Sequence, residues 1–220
     1  MSNDVKRKVL HAAVELFLTE GYEKTSIRVL EKASGINYGS IMHAFECKEN
    51  IVGETLGYLF DKQFQTAQEL VKGKTTDKVL MYIVETVLQL YMAESSEHMR
   101  EMYNVSYTLP NTITVIHKAI TDKLEDIFKE EFPNYDKKDF YFLELAASGI
   151  MRSYLSRPCD MFFTMEMKVE KFIETLLLIY RVSDERIKEA IDLVNSIDFK
   201  AVSQKTISEM KAYMDKRIDE

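Results

Sequence analysis

Apolar residues recur every three or four positions along most of this chain, which is the period of an amphipathic α-helix. The pattern predicts a first helix over about residues 4–20, which ends at Gly21. A short helix capped by Thr25 or Ser26 follows, and after a tight turn a second short helix covers about residues 37–44. Two short helices joined in this way form a helix-turn-helix, which needs its neighbours to stay folded.

The helical period continues beyond residue 50, so the rest of the chain is also predicted to be helical. A connecting helix is expected after Lys48, ending near Gly73, and proline forces a later break at Phe132-Pro133. The remaining helices are expected near residues 79–95, before 109, and over 111–132, 137–156, 165–180, 184–196 and 199–217. The predicted fold class is all-α, with a three-helix head at residues 1–50 and a larger helical body at residues 51–220.

Composition and charge narrow the partners that the head and the body can have. Only 7 Gly and 3 Pro occur in 220 residues, which is typical of long helices with few turns. The formal net charge is -7, yet Lys and Arg balance Asp and Glu within residues 1–50, so the body carries all of the excess negative charge. An acidic body repels phosphates, which leaves the neutral head, with its basic run at residues 6–8, as the face that could approach DNA.

Cysteine usage and hydropathy indicate where the protein works. Cys47 and Cys159 fit neither a CxxC metal spacing nor a disulfide framework, which favours a reduced, cytoplasmic setting. The N-terminus lacks an apolar signal core, and no stretch approaches the roughly 18 apolar residues of a membrane span. We therefore expect a cytoplasmic protein with no membrane partner, no cofactor and no metal.

The residues from about Val9 to Ile51 resemble the head of the tetracycline-repressor (TetR) family of bacterial transcription regulators. The shared positions follow the family's spacing without a gap and are Ala12-Ala13, Leu16-Phe17, Gly21-Tyr22, Thr25-Ser26-Ile27, Ala33-Ser34-Gly35-Ile36, Gly39, Phe45 and Lys48-Glu49. The resemblance implies a homodimeric repressor whose heads bind a double-stranded DNA operator. It also implies release by a small-molecule effector bound in the body, and a dimer interface formed by a closing pair of long helices.

The resemblance assigns the recognition helix, which would enter the DNA groove, to residues 37–44. Short polar side chains suit phosphate and base contacts there, and glycine lets the backbone come close to a partner. Residues at the starts of the neighbouring helices would hold phosphates. The predicted DNA-binding residues are Thr25, Ser26, Arg28, Asn37, Tyr38, Gly39, Ser40, His43 and Lys48. For Arg28 and for the basic run at residues 6–8, a solvated surface position is an equally good interpretation.

Two further sets of residues are predicted in the body. Tyrosine and methionine carry polar or polarisable tips on apolar side chains, which suits an adaptable ligand pocket. The candidate ligand-binding residues are Tyr82, Met99, Met102, Tyr103, Tyr107, His117, Met151 and Tyr154. A run of small side chains in the helix at 137–156 would let another helix approach closely. The candidate dimerisation residues are Ala146, Ala147, Gly149, Ile150, Phe172, Leu176 and Tyr180.

A second class of function stays open because three head residues differ from those usual in the family. Glu31, Met42 and Ala44 take the place of a small alanine, a phosphate-binding tyrosine and a histidine, respectively. Methionine cannot donate a hydrogen bond, and a carboxylate must be solvated or paired. The alternative is a helical ligand-binding or protein-binding module whose head no longer binds DNA tightly.

A metal-dependent enzyme is the third interpretation of the chain. Glu94, His98 and Glu101 would share one helix face and could bind a metal, although a solvated, mutually compensating surface is the better interpretation. The four histidines are scattered, and no nucleophile lies beside a base in the sequence. We therefore expect no enzymatic activity.

Overall fold

A computed structural model describes residues 2–220, with side chains from Asp4 onward, and this part of the chain contains eleven α-helices and no strand. The helices are α1 (Ser2–Thr19), α2 (Ile27–Ser34), α3 (Tyr38–Phe45), α4 (Lys48–Val71), α5 (Lys78–Glu94), α6 (Glu97–Ser106), α7 (Pro110–Phe128), α8 (Lys137–Ser156), α9 (Met165–Ile179), α10 (Asp184–Asn195) and α11 (Phe199–Asp219). The all-α prediction is confirmed. Within the same residues, no helix has the length and apolar character that crossing a membrane requires.

The helix-turn-helix is set by side-chain caps and one left-handed residue. Of the two predicted caps for α2, Ser26 takes the role, because its hydroxyl accepts a hydrogen bond from the Val29 amide at 3.3 Å. Gly35 ends α2 with φ 69°, a left-handed conformation that glycine adopts without strain. Asn37 then caps α3 by accepting a hydrogen bond from the Ser40 amide at 2.9 Å.

The head has its own apolar cluster, which draws on more than the first three helices. Its buried members are Val9, Leu10, Ala13, Phe17, Leu30, Ile41, Phe45, Ile51, Val52, Leu56, Met102 and Val105. The last two lie on α6, so a body helix helps to fill the head core. The division into domains at residues 50 and 51 stays a prediction, and side chains on both sides of it share this cluster.

Two helices contribute to both cores and so connect the head to the body. The start of α4 packs in the head, whereas its later residues Leu59, Ala67 and Val71 pack in the body cluster. On α6, Met102 faces the head core while Tyr103 is buried in the body, where its hydroxyl donates to the Gln63 side chain of α4 at 2.7 Å. These two helices therefore form a continuous packed connection between the head core and the body core.

The last helix runs along the connecting helix and reaches the head. Along α4, Lys62 pairs with Glu209 of α11 at 3.1 Å. At the far end, His11 of α1 contacts Asp215 at 2.7 Å and Asp219 at 3.1 Å. Burial opposes the charge on this imidazole, but the two carboxylates outweigh it and raise the pKa of His11 above its ordinary value. The C-terminal helix thus ties α1 to the body.

Candidate nucleic-acid interface and body cavity

The outer face of α3 is an exposed, polar surface of the helix-turn-helix. Ile41 and Phe45 point inward and anchor the helix in the head core. On the opposite side Tyr38 is 48% exposed, and Gly39 and His43 are exposed as well. An α-helix with a docked inner face and a free polar outer face can enter the DNA major groove.

The first turn of α3 leaves room for a partner. A Cβ atom added at Gly39 would contact only the side-chain oxygen Oδ1 of Asn37, at 3.5 Å. Packing within the protein therefore does not require glycine at this position. Asn37 is exposed and uses its oxygen for the cap, which leaves its amide NH₂ pointing to solvent as a donor. Ser40 is half-buried behind them.

The carboxylate of Glu31 lies at the N-terminus of α3. One of its oxygens accepts a hydrogen bond from the backbone amide of Tyr38 at 2.8 Å. A negative charge at this position stabilises the helix by interacting with unpaired amides and with the helix dipole. The expectation that this carboxylate is solvated or paired is confirmed, and the pairing places a negative charge beside the exposed Tyr38.

One predicted phosphate contact is wrong and a second is engaged within the head. Thr25 is fully buried and its hydroxyl donates to the Gly21 carbonyl at 2.7 Å, so its side chain cannot reach a phosphate. The Lys48 ammonium donates to the Tyr22 carbonyl at 2.8 Å and lies 3.6 Å from the centre of the Tyr22 ring. Burial lowers the pKa of Lys48, and a phosphate would have to compete with these contacts.

The other basic residues of the head differ in how far they are paired. Ser26 and Arg28 are exposed at the start of α2. Within the basic run, Lys6 pairs with Glu54 at 3.0 Å, and both Arg7 and Lys8 contact Asp4. Pairs this exposed contribute little to stability and exchange readily with other anions.

A cavity of about 40 Å³ lies inside the body between α5, α7, α8 and α9. Its lining residues are Tyr82, Glu85, Thr86, Gln89, Tyr107, Ile120, Glu144, Ala147, Ser148, Met151 and Leu176. Three of the predicted ligand-binding residues, Tyr82, Tyr107 and Met151, therefore meet at one site. The Tyr107 hydroxyl accepts a hydrogen bond from the Gln89 side chain at 3.3 Å.

The other five predicted ligand-binding residues do not line this cavity. Met99 and Tyr103 are buried elsewhere in the body cluster, and Met102 belongs to the head core. Tyr154 packs edge-on against the Phe172 ring of α9, with 5.4 Å between ring centres. His117 lies behind the cavity wall, where its Nε2 atom contacts the Ser148 hydroxyl at 3.1 Å. Packing within the protein explains the first four positions, whereas His117 also lines a separate, open pocket with Thr121 and Tyr141.

Glu144 lines the cavity and was missed in the sequence. It is 2% exposed, and burial alone raises the pKa of its carboxyl to about 8. Within residues 4–220, no hydrogen-bond donor or cation is bonded to this carboxyl group. A signal was present, because Glu144 falls in one helical stripe with Phe140, Ala147 and Met151, and a carboxylate in a buried stripe is unusual.

Part of the predicted dimer interface is wrong, because four of its residues belong to the core of the protomer. Ala147, Phe172, Leu176 and Tyr180 are buried in the body cluster, where the Tyr180 ring stacks on Phe128. Ile150 packs half-buried against the same cluster, whereas Ala146 and Gly149 are exposed. The apolar or small residues exposed on the outer faces of α8 and α9 are Phe142, Leu145, Ala146, Gly149, Met167 and Leu178.

The two carboxylates of the metal interpretation are directed to other partners. Glu94 pairs with the buried Lys168 at 3.0 Å, and Glu101 accepts a hydrogen bond from the Glu23 amide at 2.6 Å. Across the part of the chain that the structure describes, no group of three or more His, Cys, Asp or Glu residues is arranged to hold a metal ion. The carboxylates are explained by the packing of α5, α6 and the head.

Comparison with known proteins finds one family profile and several relatives. The sequence profile of bacterial regulatory proteins of the tetR family matches residues 9–55. The HTH-type transcriptional regulator QacR of Staphylococcus aureus is 28% identical over 132 residues, which are 58% of this chain and 70% of that protein. The HTH-type transcriptional repressor KstR2 of Rhodococcus jostii is 35% identical over 92 residues, or 41% of this chain and 45% of that protein. A crystal structure of a gamma-butyrolactone receptor (ArpA-like protein) covers 93% of this chain and 100% of its own at 15% identity, with a TM-score of 0.49.

Proposed function

Since this chain is a regulator of the TetR family, we propose that it is a homodimeric repressor whose two heads bind a DNA operator and which a small-molecule effector releases. The observation that carries the proposal is the outer face of α3, which is polar and exposed within a head that matches the family profile. Relatives named as a transcriptional regulator and a transcriptional repressor support it. Such a protein would act on the chromosome, in the cytoplasm.

Contacts to DNA are proposed from the α3 face and the start of α2. Asn37, Tyr38 and His43 would reach base edges or phosphates in the major groove, with Ser40 behind them. Gly39 would let the backbone approach the DNA. Ser26 and Arg28 at the start of α2 would contact the phosphate backbone, which positions the head without reading sequence.

The dimer is proposed to form through the outer faces of α8 and α9. Phe142 is 55% exposed and Leu178 is 70% exposed, and the small residues Ala146 and Gly149 lie between such apolar positions. A second copy of the same face would bury these side chains in a two-fold interface. Two-fold symmetry would then space the two recognition helices for half-sites about 34 to 36 Å apart.

The effector is proposed to act from the body cavity through α6 and α4. Tyr107 at the end of α6 lines the cavity, and Met102 of the same helix packs in the head core. A ligand that moves Tyr107 would shift α6, and the shift would displace Met102 of α6 within the head core. A coupling of about 1 to 3 kcal/mol between the two sites would change operator affinity about 5-fold to 150-fold.

The proposed function is tested by selecting the genomic DNA fragments that the protein binds and then asking which small molecules release them. The full chain is incubated with genomic fragments of its source organism, the bound fragments are sequenced, and their affinity is measured with and without small molecules. Enrichment of a two-fold symmetric site and its release by a compound that binds the body support the repressor. Fragments enriched without any common site would contradict it.

The alternative module with a head that no longer binds DNA is favoured by one observation, the Glu31 carboxylate at the N-terminus of α3. This negative charge repels phosphate where the recognition helix begins. The same selection distinguishes the two functions, because the module would retain fragments weakly and without sequence preference.

A further inference from the structure

A buried carboxyl group without a partner faces the body cavity. Glu144 is the residue concerned, and nearly all carboxylates buried to this extent in proteins are paired. An unpaired acid costs free energy in the folded protein, so its presence in a cavity calls for a ligand that supplies the missing partner. We propose that the body cavity binds a ligand with a compact cationic group, such as an amine, which pairs with Glu144. The inference rests on the proposed function only in that this ligand would be the effector.

The lining of the cavity favours a cation over an anion or a neutral ligand. Two carboxyl groups, Glu85 and Glu144, line it, and its lining contains no Lys, Arg or His among the residues that the structure describes. Tyrosine rings at Tyr82 and Tyr107 add faces that attract cations. An anion would be repelled by the ionised Glu144 carboxylate, whereas a neutral ligand could only exchange hydrogen bonds with it and would gain no charge pairing.

The two carboxyl groups are not equivalent. Glu85 already forms an ion pair with Lys123 of α7. Glu144 has no such partner. Its charge instead acts on the hydroxyl groups of Tyr82, Tyr107 and Tyr180, where it helps to raise the pKa of each tyrosine. The cationic end of the ligand is therefore assigned to Glu144.

An adjoining cavity provides space for the rest of the ligand. It measures about 100 Å³ and shares Tyr82 and Glu85 with the first, so these two side chains form the wall between them. Its other lining residues are Phe64, Ala67, Gln68, Val71, Lys78, Met81, Lys123 and Ile127. An apolar cavity of about 150 Å³ can bind benzene, and the two cavities together measure about 140 Å³, so an aromatic amine would fit only after the Tyr82 side chain moves aside and joins and widens them.

The proton on the Glu144 carboxyl sets the pH dependence of binding. Because burial raises its pKa to about 8, the group is mostly neutral at pH 6.5 and must release a proton to solvent when it pairs with a cation. The other titratable or charged groups around it are the three tyrosines, the Glu85–Lys123 pair and His117, which contacts Ser148 in the wall. Burial lowers the pKa of His117, so this imidazole is neutral over most of the range.

The test is a calorimetric titration of the full chain with three matched probes: benzylamine, benzyl alcohol and benzoate. Benzylamine is expected to bind at least about tenfold more tightly than benzyl alcohol at pH 8, and benzoate is expected not to bind. Its affinity should rise from pH 6 to pH 8, by up to about tenfold per pH unit, with proton release near pH 6.5. Equal affinities for benzylamine and benzyl alcohol, or no binding of any probe, would overturn the proposal.

Two variants locate the effect. Glu144→Gln keeps the shape of the side chain and removes its charge, so benzylamine affinity should fall at least about tenfold and lose its pH dependence. Glu131→Gln is the control, because Glu131 is also largely buried but pairs with Arg186 outside the cavity. Benzylamine affinity that is unchanged in Glu144→Gln would overturn the proposal. Operator binding is measured separately. If benzylamine binds through Glu144 but does not release the operator, the proposed regulation is refuted and this inference stands. If the operator is released by compounds whose binding does not depend on Glu144, this inference is refuted and the proposed regulation stands.

Discussion

The Glu31 carboxylate of α2 and the backbone amide of Tyr38 are joined by a hydrogen bond of 2.8 Å, which fixes the start of α3. This contact also puts one negative charge at the place where a DNA phosphate would approach a helix N-terminus. The stability of the helix-turn-helix and its affinity for DNA therefore make opposite demands on Glu31.

Removing the charge of Glu31 is expected to strengthen DNA binding. Glu31→Gln keeps an oxygen that can accept the Tyr38 amide and removes a repulsion of about 0.5 to 1 kcal/mol, so affinity should rise a few-fold at low salt. The gain should shrink at high salt because the interaction is screened. Fluorescence anisotropy with a labelled operator fragment measures it. Glu189→Gln, on the exposed surface of α10, is the control for net charge, and an equal gain there would contradict the local explanation.

Thr25 is expected to matter for stability and not for DNA contact. Thr25→Val removes the hydroxyl that donates to the Gly21 carbonyl and should lower the free energy of unfolding by about 1 to 3 kcal/mol. The matched control is Thr19→Val, whose hydroxyl makes the same kind of bond to Glu15 in an exposed position. Thermal unfolding and DNA affinity are measured on both variants. A stable Thr25→Val variant with much weaker DNA binding would contradict the assignment.

The dimer is expected to depend on the outer faces of α8 and α9. Placing a carboxylate at the centre of the interface with Leu178→Glu should cost about 2 kcal/mol or more, which raises the dissociation constant of the dimer about 30-fold or more. Val115→Glu on α7 makes the same change at a residue of similar exposure, 68%, away from this face. Analytical ultracentrifugation over a range of concentrations separates the two. Dimers of equal strength in both variants would rule out the α8 and α9 interface.

Glu144 is expected to make stability depend on pH. Its pKa in the folded protein, about 8, lies above the ordinary 4.5, so the folded state holds an extra proton between these values. The free energy of unfolding therefore contains the full contribution of the protonated Glu144 below about pH 4.5. That contribution, on the order of a few kcal/mol, is lost as the pH rises towards 8. Glu144→Gln should raise the melting temperature more at pH 9 than at pH 5. A gain that is equal at both pH values would show that the carboxyl is not buried as described.

The sequence predicted the helices well because their ends carry local signals. The predicted helix at residues 137–156 has the bounds of α8, and Ser26, one of the two predicted caps, does cap α2. The helical period predicts which residues share an apolar face. It does not predict whether that face packs in the core of the protomer or stays exposed. Phe172 and Leu176 are covered by the protein's own core, whereas Leu178 on the same helix is exposed. The cavity was found only in part for the same reason, since tertiary packing decides which of several tyrosines meet.

The most direct test of a DNA-binding regulator is a titration of the full chain on an enriched genomic fragment at about 50 and 200 mM salt. The natural chain should bind with strong salt dependence and prefer this fragment over an unrelated one. Tyr38→Ala combined with His43→Ala should abolish the preference, whereas Val115→Ala on the exposed surface of α7 should retain it. Weak binding of equal strength to both fragments, unchanged in the double variant, would contradict the account.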